Sequence, residues 1–176
     1  MQVLDFSSVV TLQLIVSRYC RPMFEIVFLN VFKNLSMYNL LKGKRGIIFG
    51  ALDENSIAWK TAERVHEEGG VFVLSNAPAA MRLGNISDLA LKTGAQVIPA
   101  DATSVTDLEK LIEQAMDILG GKIDFVLHSI GMSVNVRKGN HYTDQNYDFT
   151  QKGWNVSAVS FHKVLQVLYK KDAMNE

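Results

Sequence analysis

Lys44-Arg45-Gly46-Ile47-Ile48-Phe49-Gly50-Ala51-Leu52-Asp53-Glu54-Asn55-Ser56-Ile57-Ala58 is the most informative run in this 176-residue chain. Its first half is a short apolar segment closed by glycines, the pattern of a strand buried on both faces of a parallel sheet. Gly50 permits a tight turn. Ser56 then precedes apolar residues at helical spacing (Ile57, Ala58, Trp59, Ala62, Val65) until Gly69-Gly70 stops the run. The reading is a strand, a glycine turn and a helix over about 57–68 capped by Ser56. The loop lacks Gly-x-Gly-x-x-Gly spacing, so by itself it is only a weak nucleotide-binding signal.

The alternation continues downstream. Val71–Ser75 reads as a second strand, Arg82–Thr93 as a helix weakened by Gly84, and Gln96–Ala100 as a third strand closed by Pro99. Val105, Leu108, Leu111, Ile112, Ala115, Ile118 and Leu119 recur at three- and four-residue intervals, with Ser104 at the start and Gly120-Gly121 at the stop. Asp124–His128 makes a fourth strand, 129–147 a polar loop, and about 149–171 a final helix. The fold class is therefore α/β, an incomplete Rossmann-type parallel sheet of about four strands with flanking helices.

Composition narrows the function classes. Eighteen Lys and Arg balance eighteen Asp and Glu, which gives no electrostatic reason to expect nucleic acid or an anionic membrane. Cys20 is the single cysteine and the four histidines are dispersed, so neither a disulfide framework nor a metal site is expected, and a reducing, cytoplasmic compartment is the default. Every glycine lies at or after Gly43. The apolar, glycine-free residues 1–36 are expected to stand outside the fold, with the domain covering 37–176. No part of 1–36 has the apolar length of a membrane span, and Asp5 precedes any basic residue, unlike a secretory signal. An accessory helical hairpin turning at Arg21-Pro22 is one reading of 1–36; the favoured one is upstream codons read through from a misplaced start.

A parallel sheet of this kind takes ligand beyond the carboxyl ends of its strands. Those positions hold Gly50 to Ala58, then Ser75-Asn76-Ala77-Pro78 without an acidic residue for a ribose 2′-hydroxyl, then Asp101-Ala102, then His128-Ser129-Ile130-Gly131. Arg82 is either a partner for a 2′-phosphate or a solvated helix residue. Asp101 and Gly131, taken singly, read equally well as turn residues.

Taken together, Gly50, Ser56-Ile57-Ala58, Asp101 and Ser129-Ile130-Gly131 resemble the enoyl-[acyl-carrier-protein] reductases, a divergent branch of the short-chain dehydrogenase/reductases. The wording of 41–50, 99–104, 122–133 and 157–163 resembles the Bacteroidetes-type members. The resemblance runs from about Met37 to Glu176. It implies that Gly50, Ser56 and Ile57 meet the phosphates and ribose of NADH, with NADPH left open, and that Asp101 and Ala102 hold the adenine edge. Ser129, Ile130 and Gly131 would pass the nicotinamide ribose and Ser133 would border the acyl pocket. Ala77 stands where some relatives carry a polar residue.

The resemblance further implies an enoyl thioester on acyl carrier protein as substrate and a homotetramer built partly on the 149–171 helix. It puts a catalytic Tyr and Lys on a helix after the next strand, beyond Asp172-Ala173-Met174-Asn175-Glu176, so the expectation is no catalytic residue within 1–176 and no activity. Tyr38-x-x-x-Lys42 has the wider superfamily's spacing but precedes the glycine turn. An open edge on the fourth strand is expected to make the isolated chain poorly stable. The alternative to a reductase segment is a stand-alone nucleotide-binding or interaction module. A ketoacyl reductase is disfavoured by His128-Ser129-Ile130-Gly131.

Overall fold

The structure, a computed structural model, describes residues 38–175; the apolar head 1–36 and Cys20 lie outside the described residues. The elements in chain order are β1 (Arg45–Phe49), α1 (Ile57–Glu67), β2 (Val71–Ser75), a 3₁₀ turn (Ala80–Arg82), α2 (Ile86–Thr93) and β3 (Gln96–Val97). They continue with α3 (Val105–Leu119), β4 (Phe125–His128), α4 (Val134–Arg137), α5 (Tyr147–Trp154), a π-helical turn (Asn155–Val159) and α6 (Ser160–Lys170). The sheet is parallel in the order β3-β2-β1-β4, the winding expected of a Rossmann-type half.

The apolar run in β1 is explained by its central position. Ile47, Ile48 and Phe49 are each 0% exposed, because successive side chains enter opposite cores. Ile47 and Phe49, with Val73, pack against Leu108, Leu111 and Ile112 of α3 and Val164 and Leu168 of α6. Ile48, with Phe72 and Leu74, packs against Ala58, Trp59 and Ala62 of α1 and Leu89 of α2. α1 and α3 start where their serines predict: Ser56 accepts from the Trp59 N–H and Ser104 from the Asp107 N–H.

Four expectations need correcting. The helix expected from Arg82 is a 3₁₀ turn followed by α2 from Ile86. At the break the chain turns aside to Leu52: Gly84 lies too close to its carbonyl oxygen for a Cβ, and the Asn85 N–H donates to that same oxygen at 2.9 Å. The third strand shrinks to two residues, since Pro99 has no N–H; Ile98 still donates to Leu74 O (2.9 Å) and Ala100 to Asn76 O (3.1 Å). The 129–147 loop contains α4, capped by Ser133, and the final helix starts at Tyr147 and carries the π-helical turn.

The fourth concerns the end of the described chain. Residues 173–175 already run parallel to the approach to β4: the Ile123 N–H donates to Ala173 O (2.8 Å) and the Asn175 N–H to Ile123 O (2.9 Å). The side of this segment away from β1 is thus partnered at its base. Higher up, β4 pairs with β1 alone among the described residues.

Candidate functional site

The loops after β1 and β4 touch. Gly50 leaves β1 at φ +92°, and a Cβ there would collide with the Ser129 carbonyl oxygen. Only glycine suits both the positive φ and the close approach. The Ser129 N–H donates to Phe49 O (3.2 Å) and the Gly50 N–H to Ser75 O (3.0 Å), which joins the ends of three strands.

Ser56 organises the turn into α1. Its hydroxyl donates to Asp53 O (2.7 Å) and accepts from the Leu52 and Trp59 N–H groups, both at 3.3 Å. The Ile57 and Ala58 N–H groups open the helix with no intrahelical acceptor, at its positive end. Ile57 itself is 76% exposed, an apolar side chain left in solvent beside that end.

Asn76, whose role the sequence reading missed, stitches the loops after β1, β2 and β3. Its Nδ2 donates to Ala51 O (3.0 Å), its Oδ1 accepts from the Ala77 N–H (2.9 Å), and its carbonyl accepts from Ala100. An Asn directly after a strand was the available signal. Ser75 beneath it is 0% exposed, and its hydroxyl has no hydrogen-bond partner among the described residues.

Asp101 serves a turn and keeps capacity besides. Its Oδ1 accepts from both the N–H and the hydroxyl of Thr103, each at 2.8 Å, while Oδ2 receives no hydrogen bond from the described residues. The side chain is exposed and Ala102 beside it is buried. Across the sheet, Ser129 and Ile130 are half-buried, and Gly131 is exposed with open space where a Cβ would stand. Ser133 borders a cavity of about 210 Å³ shared with Met132, Phe149 and Ser157.

His128 is a packed residue. Its ring lies between Phe49 (6.2 Å between centroids) and Phe161 (5.2 Å), and burial lowers its pKa, which keeps it neutral. Nε2 is 2.8 Å from Ser160 Oγ, whose own proton goes to Val156 O at 2.6 Å, so Nε2 is the donor. Among the described residues no three His, Cys, Asp or Glu side chains come together in a way that could hold a metal ion. The segment from Tyr38 to Lys42 sits at the opposite end of the sheet, where Leu41 N–H donates to Glu68 O (3.1 Å).

The strand ends therefore offer open space beside Gly131, a helix N-terminus with free N–H groups, and an exposed carboxylate oxygen. This fits a dinucleotide: the donors at the start of α1 are uncharged and fixed, and Gly131 leaves room where a side chain would stand. The class is that of the Rossmann-type parallel α/β folds. The profile of the family described as Enoyl-(Acyl carrier protein) reductase matches residues 50–176, and the chain belongs to that family.

Among its relatives, the Enoyl-[acyl-carrier-protein] reductase [NADH] 1 of Rhizobium meliloti is 33% identical over 127 residues, 71% of this chain and 46% of the relative. The FabI–NADH complex from Alistipes finegoldii is 60% identical, with TM-score 0.77, covering 79% of this chain and 49% of that one. The Bacillus cereus enoyl-acyl carrier protein reductase with NADP+ and an indole naphthyridinone is 26% identical, with TM-score 0.67, covering 77% and 52%. The chain spans about half the length of these relatives.

Proposed function

We propose that residues 37–176 form the dinucleotide-binding part of an NADH-dependent enoyl-acyl-carrier-protein reductase of fatty acid synthesis. The observation that carries the reading is the family match over residues 50–176, with the α1 N-terminus, the unengaged Asp101 Oδ2 and the open space at Gly131 gathered at the strand ends. Gly50 and the first turn of α1 at Ser56 and Ile57 receive the pyrophosphate and ribose. Asp101, through its unengaged Oδ2, and the Ala102 backbone receive the adenine amine and ring edge. Ser129, Ile130 and Gly131 bracket the nicotinamide ribose, and Ser133 borders the space for the acyl chain.

When bound, the cofactor supplies a hydride to the enoyl β-carbon. These residues would hold it in one position and orientation, with Ser133 bordering the space beside it. NADPH stays open as a cofactor, because no carboxylate follows β2 to repel a 2′-phosphate. The whole protein is read as cytoplasmic and homotetrameric, acting on thioesters of acyl carrier protein. No helix among the described residues is long and apolar enough to cross a membrane. The 176-residue polypeptide alone is expected to reduce no enoyl thioester, because after β4 it has no Tyr with a Lys at the family's spacing to stabilise the enolate.

Two assays on the purified chain test this. NADH fluorescence should rise and saturate on titration, and a flat titration overturns the cofactor reading. With crotonyl thioester present, NADH oxidation should stay at background; turnover above it overturns the expectation of inactivity.

A further inference from the structure

One helical segment touches both of the loops assigned to the dinucleotide, and it does so in and just after its π-helical turn. The π-helical turn Asn155–Val159 joins α5 to α6 without a break. On its sheet-facing side, Ser157 Oγ accepts from the Met132 N–H at 3.0 Å. One turn on, Ser160, fully buried, accepts from His128 Nε2 at 2.8 Å. The stretch Ser129-Ile130-Gly131 is therefore pinned on both flanks by hydroxyls three residues apart on one helix face. Gly153 completes the contact from α5, where a Cβ would stand 2.9 Å from the Met132 carbonyl oxygen.

The same segment reaches the other loop. Lys163 Nζ donates to Thr103 O at 2.8 Å and to Asn155 Oδ1 at 3.4 Å. An α turn takes 3.6 residues and a π turn roughly one more, so two turns of mixed kind span about eight residues. Asn155 and Lys163 are eight apart, and the π turn between them brings them closer to one line of the helix.

We propose that the π-helical turn and the start of α6, through Ser157, Ser160 and Lys163, set the separation between loop 101–103 and loop 128–132, making these three positioning residues for the two ends of the cofactor. None of them need touch the ligand. Their assignment to adenine and nicotinamide ends rests on the function proposed above; the pinning itself does not. Ser157 and Ser160 govern the nicotinamide side and Lys163 the adenine side.

The test uses the 176-residue chain and the variants Ser157→Ala, Ser160→Ala and Lys163→Met, with NADH and ADP-ribose as ligands. ADP-ribose lacks the nicotinamide half. Both serine variants should weaken NADH at least fivefold while ADP-ribose stays within twofold, and Lys163→Met should weaken both ligands equally. A general loss of fold would move all three variants alike, so an equal loss of both ligands in the serine variants overturns the proposal. Amide hydrogen exchange in the ligand-free chain supplies a second readout. Ser157→Ala should speed exchange at Met132 at least tenfold and leave Thr103 unchanged, and Lys163→Met should do the reverse. Unchanged exchange at both sites overturns the pinning. If the unmodified chain binds neither ligand, the cofactor reading falls, and exchange alone decides for or against the pinned loops.

Discussion

The two ends of the sheet hold themselves together with different chemistry. At the carboxyl ends of the strands the contacts run mostly through backbone groups, hydroxyls and amides: Gly50 to Ser75, Ser56 to its turn, Asn76 to Ala51, Ser157 to Met132. At the amino ends they run through charges. Asp124 accepts from the Arg45 N–H (2.8 Å), Lys44 (3.0 Å) and Asn175 (3.0 Å); Lys122 meets Asp172 at 2.7 Å; buried Glu68 meets Arg64 at 2.6 Å and also takes the Leu40 N–H. The difference teaches how a receiving surface is made. Fixed neutral donors keep their orientation whether or not a ligand arrives, while an end that receives nothing can be closed with ion pairs.

The strongest way to break this contrast is Gly50→Val. A β-branched residue at φ +92° against the Ser129 carbonyl should lower urea-unfolding stability by about 3 kcal/mol and abolish NADH binding. An unchanged midpoint would mean the two loops are not in close approach. Next in size is Ser56→Ala, which removes the cap of α1 and should cost about 1 kcal/mol in the same assay, with Ser56→Asp recovering most of it.

A smaller effect belongs to the charged end. The Arg45 N–H first, then Lys44 and Asn175, hold the Asp124 carboxyl at about 2, below its ordinary value of 3.8. The stability this contributes is fully present above the ordinary value and is lost as pH falls through the lowered one. Asp124→Asn should therefore flatten the acid limb of stability between pH 4 and 2, measured by thermal melts, and an identical limb would remove the pair from the closure of this end. The smallest effect is expected from Lys92→Met. Lys92 lies 2.6 Å from Glu63 and holds that carboxyl at about 2, yet the ammonium is in solvent, so the urea midpoint at neutral pH should not move measurably.

Much of this was legible in advance for a physical reason. β1 and α3 announce themselves because successive residues of one meet cores on both faces, and every third or fourth of the other meets one; Ser56 and Ser104 mark their helices because a cap is a local hydrogen bond. What escaped prediction depends on partners far along the chain. The break before α2 is made by Leu52 O, the fold of the 129–147 segment by the buried Asn135 amide bridging Asn140, Asn146 and Thr150, and the π-helical turn by loops at 103 and 132. No residue within 155–159 signals it alone. Of the proposed site, Gly50, Ser56 and Asp101 could be read from position after a strand. Asn76 and the hydroxyls of Ser157 and Ser160 became visible only when the loops they hold were in place.

The strand order carries a consequence in time. β1 pairs with β2, which follows it after a single helix, but its other neighbour β4 arrives only after two further helices and β3 have been made. Closing that longer chain loop carries the larger entropy cost, so the β1–β4 joint is expected to be the late event of assembly. Gly50 and the Ser129 carbonyl meet at this joint. A nucleotide seated across them would bind only molecules in which the last step is complete, and would draw slower-folding ones toward completion by mass action. The cofactor cradle would thus double as a proofreader of the finished sheet.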